Sequence, residues 1–343
     1  MAKLTAQEQL FQELLDRYGP KVARAFMDAI DDLRSGADFQ RLTAAIEAGD
    51  LAGAIEALQL EPAAFNDLLE AIRETYLAGG QGAAQTMRAP AAVGVIRFDG
   101  RNPAAERWLR EESSDLVTRI ITDQRTAVRE VLEANMARGA NPKAAARMIV
   151  GAVNRATGKR EGGIIGLTAQ QAGYVDTARQ ELASGDPAQL EHYLARTRRD
   201  KRFDRSIANA IRDEEPVPAD IARKAVARYE ARLLELRGQT IARSETLRSL
   251  QAAKHQAYLQ AVESGKISAS AVRRVWRDVG DLRVRHTHRL LDGDTVGLNE
   301  PFRSPSGALM MFPGDTSLGA PASETVACRC DVNYRIDFLA NLT

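Results

Sequence analysis

The chain has 343 residues, 44% of them apolar and 27% charged, with a net charge of +1; this balance excludes a disordered or fibrous chain and fits a soluble globular protein of two or three domains. Two cysteines exclude a disulfide scaffold, and a one-apart pair fits disulfide geometry poorly, so reduced thiols in a cytoplasm are expected. No apolar run reaches the ~18 residues of a membrane span, and MAKLTAQEQLFQELLDRYG lacks the apolar core of a signal peptide, so no membrane partner is expected.

Charge is uneven along the chain. Residues 1–80 hold seven basic and fourteen acidic residues, a net −7, which leaves +8 for the remainder. An acidic head and a basic body are expected, the latter able to tolerate DNA.

Residues 5–18 read as a helix, with Thr5 and Glu8 at capping-box spacing and Leu10, Phe11, Leu14, Leu15 and Tyr18 on one stripe. The pair GP at 19–20 is expected to break it, and a second helix covers 21–34. Helical patterns continue to Gly79 and Gly80, which are expected to end the last of them. Residues 81–102, rich in Gly, Ala and Pro, read as a linker with a short extended segment near 93–98. Residues 103–265 form a helical body, with Asn141 and Pro142 opening one helix, Thr168 near the start of another, and one long or two consecutive helices near 221–265.

The pattern changes in residues 266–343. AVRRVWRDV alternates as a strand does, and glycines and prolines recur every few residues thereafter. The fold class is therefore mainly α, with a small C-terminal α+β unit of short strands and loops. That unit has few large residues, among them Trp276, Val284, Leu290, Leu291, Val296, Phe302, Leu309, Met311, Phe312 and Val326. So thin a core calls for a staple or a covering neighbour.

The four histidines and two cysteines of the chain offer a staple. His286 and His288 form an H-x-H pair, and Cys328 and Cys330 a C-x-C pair. On strands each pair shares one face, and two imidazoles with two thiolates make a tetrahedral zinc set. The plainer alternative is that the cysteines are reduced core or turn residues and His286 is exposed. A catalytic alternative is a zinc hydrolase using His288 and the cysteines, with Glu324 as general base; no H-E-x-x-H run supports it.

Basic residues cluster in three places: 196–205 and 273–289, each with six basic residues against two acidic, and 242–248, where Arg243 and Arg248 are expected on a helix. In the first, Arg196, Arg198, Arg199, Lys201 and Arg202 are candidates for phosphate contact, which keeps a non-specific DNA-binding protein among the alternatives. Solvated or internally paired arginines are the plainer reading.

The runs DLRVRHTHRLLDGDTV, PFRSPSGALMMFPGD and ETVACRC together resemble the signature of phage minor head proteins, the head morphogenesis proteins similar to protein F of phage Mu. The matching positions are Asp281, Arg283, Arg285, His288, Leu291, Asp292, Gly293, Cys328, Arg329 and Cys330. IARSETLRSLQAA resembles the family's upstream A-R-T-E helix, with Arg243 and Glu245 in place and Ser244 where threonine is usual. RFDGRNPAAERWL and NRATGKREGGIIGLTAQQ also resemble prophage members of this group, so the resemblance covers roughly residues 95–335, its specific part being the C-terminal unit. It implies a virion component present in few copies, bound to the portal protein inside the procapsid beside scaffold or major capsid protein, and associated with DNA packaging or ejection. It implies a structural role and no enzyme. His286 is not a motif position, so Asp281 or Asp292 would complete a metal set with His288, Cys328 and Cys330.

Overall fold

The computed structural model describes residues 4–87 and 94–337. Helix dominates, as the composition predicts, and the short strands lie mostly in the C-terminal region. The helices are α1 (Ala6–Gly36), α2 (Phe39–Glu47), α3 (Leu51–Glu56), α4 (Asn66–Thr86), α5 (Pro103–Ala137), α6 (Pro142–Val150), α7 (Ala169–Ser184), α8 (Pro187–Ala195), α9 (Asp204–Asp213), α10 (Ala219–Glu263), α11 (His286–Leu291) and α12 (Ala322–Thr325). The strands are β1 (Ala152–Val153), β2 (Arg160–Glu161), β3 (Val272–Arg277), β4 (Thr295–Gly297), β5 (Phe302–Arg303), β6 (Leu309–Met310) and β7 (Asp331–Ile336).

Local chemistry sets many of the helix starts. The Thr5 N–H donates to Glu8 Oε2 at 2.7 Å and the Glu8 N–H to Thr5 Oγ1 at 3.2 Å, closing the expected capping box. Asn141 caps α6 ahead of Pro142. Thr168 and Gln171 form a second capping box at α7. α10 is one helix of 45 residues.

Two expected breaks are absent. Pro20 lies inside α1; its missing N–H removes one helical hydrogen bond, but the flanking Phe11 and Val22 are buried and the helix carries through. α4 does not stop at Gly79 and Gly80 but runs on to Thr86. Those glycines serve close packing: a Cβ on Gly79 would stand 3.0 Å from Leu250 Cα, and one on Gly80 would run into the Phe98 ring. Of the expected extended segment, residues 88–93 of the linker lie outside the described residues, and residues 94–98 pair with no strand.

The chain forms two compact units that are not consecutive in sequence. Unit 1 takes Met1–Ala25, Asp67–Ser114 and Gln239–Thr343; unit 2 takes Phe26–Asn66 and Asp115–Gly238. Unit 2 is helical apart from the antiparallel β1–β2 hairpin, with Phe26, Ile30, Leu42, Phe65, Leu132 and Tyr193 in its core.

In unit 1, β4, β3 and β7 form an antiparallel sheet in that order, with Arg274 opposite Val296 on one side and Tyr334 on the other. β5 and β6 form a separate hairpin. Neighbouring helices cover this thin sheet. Trp276, Phe302, Phe312 and Val332 share one core with Phe11 of α1, Tyr76 and Ala83 of α4, and Leu247, Ala253 and Tyr258 of α10. Leu290 and Val326, expected in the core, are exposed, and Leu298 and Met310 are buried in it. Among the described residues no helix is long and apolar enough to cross a membrane.

Candidate metal centre and the motif that frames it

β3 forms over the strand-like run, but its burial does not alternate strictly: Val272, Arg274 and Trp276 share one buried face, and Val275 is buried as well. The H-x-H pair does not continue this pattern. His286 and His288 begin a short helix, α11, where side chains two apart diverge. His288 is therefore buried while His286 is exposed. The C-x-C pair behaves as expected of an extended segment: Cys328 and Cys330 are 0% and 1% exposed, and Arg329 between them is half-buried and pairs with Asp281.

His288, Cys328 and Cys330 converge, with their ligand atoms all within 4.8 Å of one another. His288 Nδ1 lies 3.4 Å from Cys328 Sγ and 3.5 Å from Cys330 Sγ. A tetrahedral ion with metal–sulfur bonds of ~2.3 Å and metal–nitrogen bonds of ~2.0–2.1 Å holds its nitrogen and sulfur donors about 3.5 Å apart. The three residues thus fit a soft ion such as zinc. Three donors are one fewer than the closed set of a structural zinc site.

His286 does not join them, and neither expected fourth ligand does. Asp281 Oδ2 is 2.5 Å from Arg329 Nη2. Asp292 Oδ1 accepts the Asp278 N–H at 3.0 Å.

The other nitrogen of His288 faces Glu324. Nε2 stands 2.9 Å from Glu324 Oε2, close enough to pair although without hydrogen-bond alignment. Glu324 is itself buried and accepts from Thr287 Oγ1 at 3.1 Å and Ser306 Oγ at 2.6 Å. Burial raises its carboxyl, but those hydrogen bonds and the nearby imidazole bring it below the ordinary range. A carboxylate on the far nitrogen is the usual device for orienting a metal-binding imidazole. Trp276 packs edge-on against the same ring, with centroids 5.1 Å apart.

The thiols share their protons unequally. A hydrogen bond from Cys330 brings the Cys328 thiol well below its ordinary value, against the effect of burial, and His288 adds to the shift. The same contact, together with burial, pushes Cys330 up. The pair loses one proton readily and the second reluctantly, and a cation between them would favour both thiolates.

Several motif residues and their neighbours hold the turn that carries the cysteines. Arg243 Nε donates to Cys328 O at 3.2 Å, and the Ala327 N–H to Ser244 Oγ at 2.9 Å. Ala327 is held at φ +52°, a left-handed conformation uncommon for a residue with a side chain. Arg285 donates to Val326 O. Glu245 lies 3.4 Å from Arg248, which also pairs with Glu112 and donates from Nε to Gly314 O at 2.9 Å. Asp281 accepts the Arg283 N–H at 2.9 Å, Arg283 itself being exposed, and Gly293 turns the chain at φ +89°.

Sequence reasoning missed the buried polar groups beneath the sheet. Arg274, fully buried, donates from Nε to Gly297 O at 3.0 Å and also bonds Met311 O and Glu300 O. Lys254 pairs with Asp331 at 2.5 Å, and His255 Nδ1 lies 3.0 Å from Tyr334 OH. Arg274 had a signal: it shares the buried parity of the strand with Val272 and Trp276.

The basic cluster at 196–205 is largely spent internally. Arg196 forks onto Glu181 at 2.7 and 2.9 Å. Arg199 forks onto Asp204, with both contacts at 2.9 Å. Arg202 pairs with Asp200 at 2.6 Å. Arg198 and Lys201 are exposed.

No curated protein and no solved structure matches the chain. Residues 205–333, from α9 through α10 and the sheet into β7, match the family described as Phage Mu protein F like protein, and the chain therefore carries a Phage Mu F-like domain over that stretch.

Proposed function

We propose that the protein is a structural minor head protein of a phage or prophage, docked on the portal protein inside the procapsid and acting in head morphogenesis. Scaffold or major capsid protein and packaged DNA are its further neighbours. It assembles in the host cytoplasm and ends inside the virion head. The family match over residues 205–333 supports the head assignment.

One observation carries the choice of an adhesive role over a catalytic one: His288, Cys328 and Cys330 are each no more than 1% exposed, and Arg243 and Arg285 are spent on the backbone of the loop that carries the cysteines. A zinc hydrolase would keep an open coordination position that substrate can reach. We read the centre as a structural zinc site, with Glu324 as the residue that orients His288.

Co-expression with the portal protein of the same genome tests the proposal. The expected result is co-purification of the two proteins at physiological salt. A portal that purifies alone, with this chain recovered separately and folded, contradicts it.

A further inference from the structure

Unit 2 holds a cleft of about 850 Å³, a volume usual for small-ligand sites. Met27, Asp31 and Arg34 line it from one face of α1, and Lys224, Ala227, Arg228 and Ala231 from one face of α10. The β1–β2 hairpin and the 3-10 turn at Lys201–Phe203 complete the walls. The hairpin base is pressed shut: a Cβ on Gly151 would meet Glu161 O at 2.5 Å, and one on Gly163 would meet Gly151 N at 2.4 Å. The hairpin thus presents Thr157 and Lys159 to the cleft from a constrained base.

The lining is strongly basic. Six cations, Arg34, Lys159, Arg160, Arg202, Lys224 and Arg228, face two carboxylates, Asp31 and Glu161. Asn154 Nδ2 already donates to Glu161 Oε1 at 2.7 Å. Arg34 is 6% exposed and anchored by donating to Ile165 O at 2.9 Å, while its Nε has no hydrogen-bond partner. Arg160 donates to Gly151 O at 3.3 Å, Arg202 pairs with Asp200 at 2.6 Å and Lys224 with Asp220 at 3.5 Å. Lys159 and Arg228 are exposed and have no carboxylate partner among the described residues. Met27, Phe203 and Ala227 add apolar surface beside these charges.

Concentrated cations in a concave site suit a compact polyanion, and arginine forks suit phosphate oxygens. The apolar surface suits a flat organic group attached to it. We propose that this cleft binds the phosphate of a nucleotide-sized ligand, either a free nucleotide or a nucleotide within a single DNA strand. Lys159 and Arg228 are the principal phosphate contacts. The proposal does not depend on the head-protein reading.

Calorimetric titration of the full chain with ADP and with a short oligothymidylate tests it. One saturable site per chain is expected, weakened by added salt. Lys159→Ala and Arg228→Ala should each weaken binding by about tenfold or more, as loss of a charged hydrogen bond does. Arg125→Ala, exposed on α5 and outside the cleft, should change nothing. Binding of ADP alone identifies a free nucleotide as the source, binding of the oligothymidylate alone identifies a strand, and mutual competition identifies a shared site; all three uphold the proposal. Thermal unfolding of the variants checks that both fold as the parent does, and Lys159→Gln and Arg228→Gln replace any that do not. No binding at millimolar ligand overturns the proposal, as does binding indifferent to both cleft substitutions. A polyglutamate peptide bound with the same residue dependence in place of ADP and oligothymidylate also overturns it, and assigns the cleft to an acidic protein segment.

Discussion

His255 lies on α10 under the sheet, 8% exposed, and burial followed by the nearby Arg274 charge brings its imidazole down to about 3. Tyr334 OH lies 3.0 Å from its Nδ1, and the Phe312 ring packs at 6.0 Å. In the unfolded chain the same group titrates near ~6.5. Below that pH the unfolded state takes up a proton that the folded state refuses, so stability falls as pH falls between about 6.5 and 3. Between pH 7 and pH 5 the loss from this residue alone is about 2 kcal/mol. His255→Gln keeps a polar partner for Tyr334 and does not titrate, so the variant should lose about that much less than the parent over the same interval. Both tryptophans, Trp108 and Trp276, fall in unit 1. Denaturant unfolding followed by tryptophan fluorescence therefore reports this unit without the other. Identical pH slopes in parent and variant would refute the linkage argument.

Asp331→Asn leaves the buried Lys254 ammonium without its carboxylate and should destabilise unit 1 by about 3–5 kcal/mol in the same assay, whereas Lys254→Met with Asp331→Leu should recover most of that loss. Gly79→Ala drives a methyl to 3.0 Å from the Leu250 backbone and should lower stability by about 1–3 kcal/mol. Cys328→Ser combined with Cys330→Ser should reduce hydrogen-exchange protection across residues 268–335 and leave unit 2 unchanged; an equal loss in both units would disprove a local role for the centre. Metal analysis of the purified parent should give about one zinc per chain, removed by His288→Ala, and a metal-free parent with an intact sheet would exclude the structural zinc site.

What was legible in the sequence was mostly local. Thr5 with Glu8, Asn141 with Pro142, and Thr168 all act on backbone groups a few residues away, so their spacing carries the whole message. β3 was legible as a strand from its valines among charges, although both of its faces carry buried residues, so alternation alone did not define its core side. Gly79 and Gly80 misled because the groups they make room for, Leu250 and Phe98, are remote in the chain. Pro20 misled because buried residues on both sides of it hold α1 together. α11 has only six residues, too few to show a helical period among glycines and prolines, so His286 was placed on the face of His288. The rarity of histidine and cysteine brought the right region forward, yet only folding could choose between the two imidazoles. At 196–205, Asp200 and Asp204 were visible among the arginines, but a count of charges does not show that guanidinium and carboxylate meet. The family resemblance at residues 281–293 and 328–330 reached further than periodicity did, because it joined segments that local patterns leave unconnected.

The central claim is that this chain is a portal-bound architectural component of the head. Cross-linking mass spectrometry of purified procapsids containing the protein tests it most directly. The account predicts cross-links between lysines of this chain and the portal protein, with few chain copies per particle. Absence of the protein from procapsids, or cross-links spread evenly over the capsid shell with none to the portal, would contradict it.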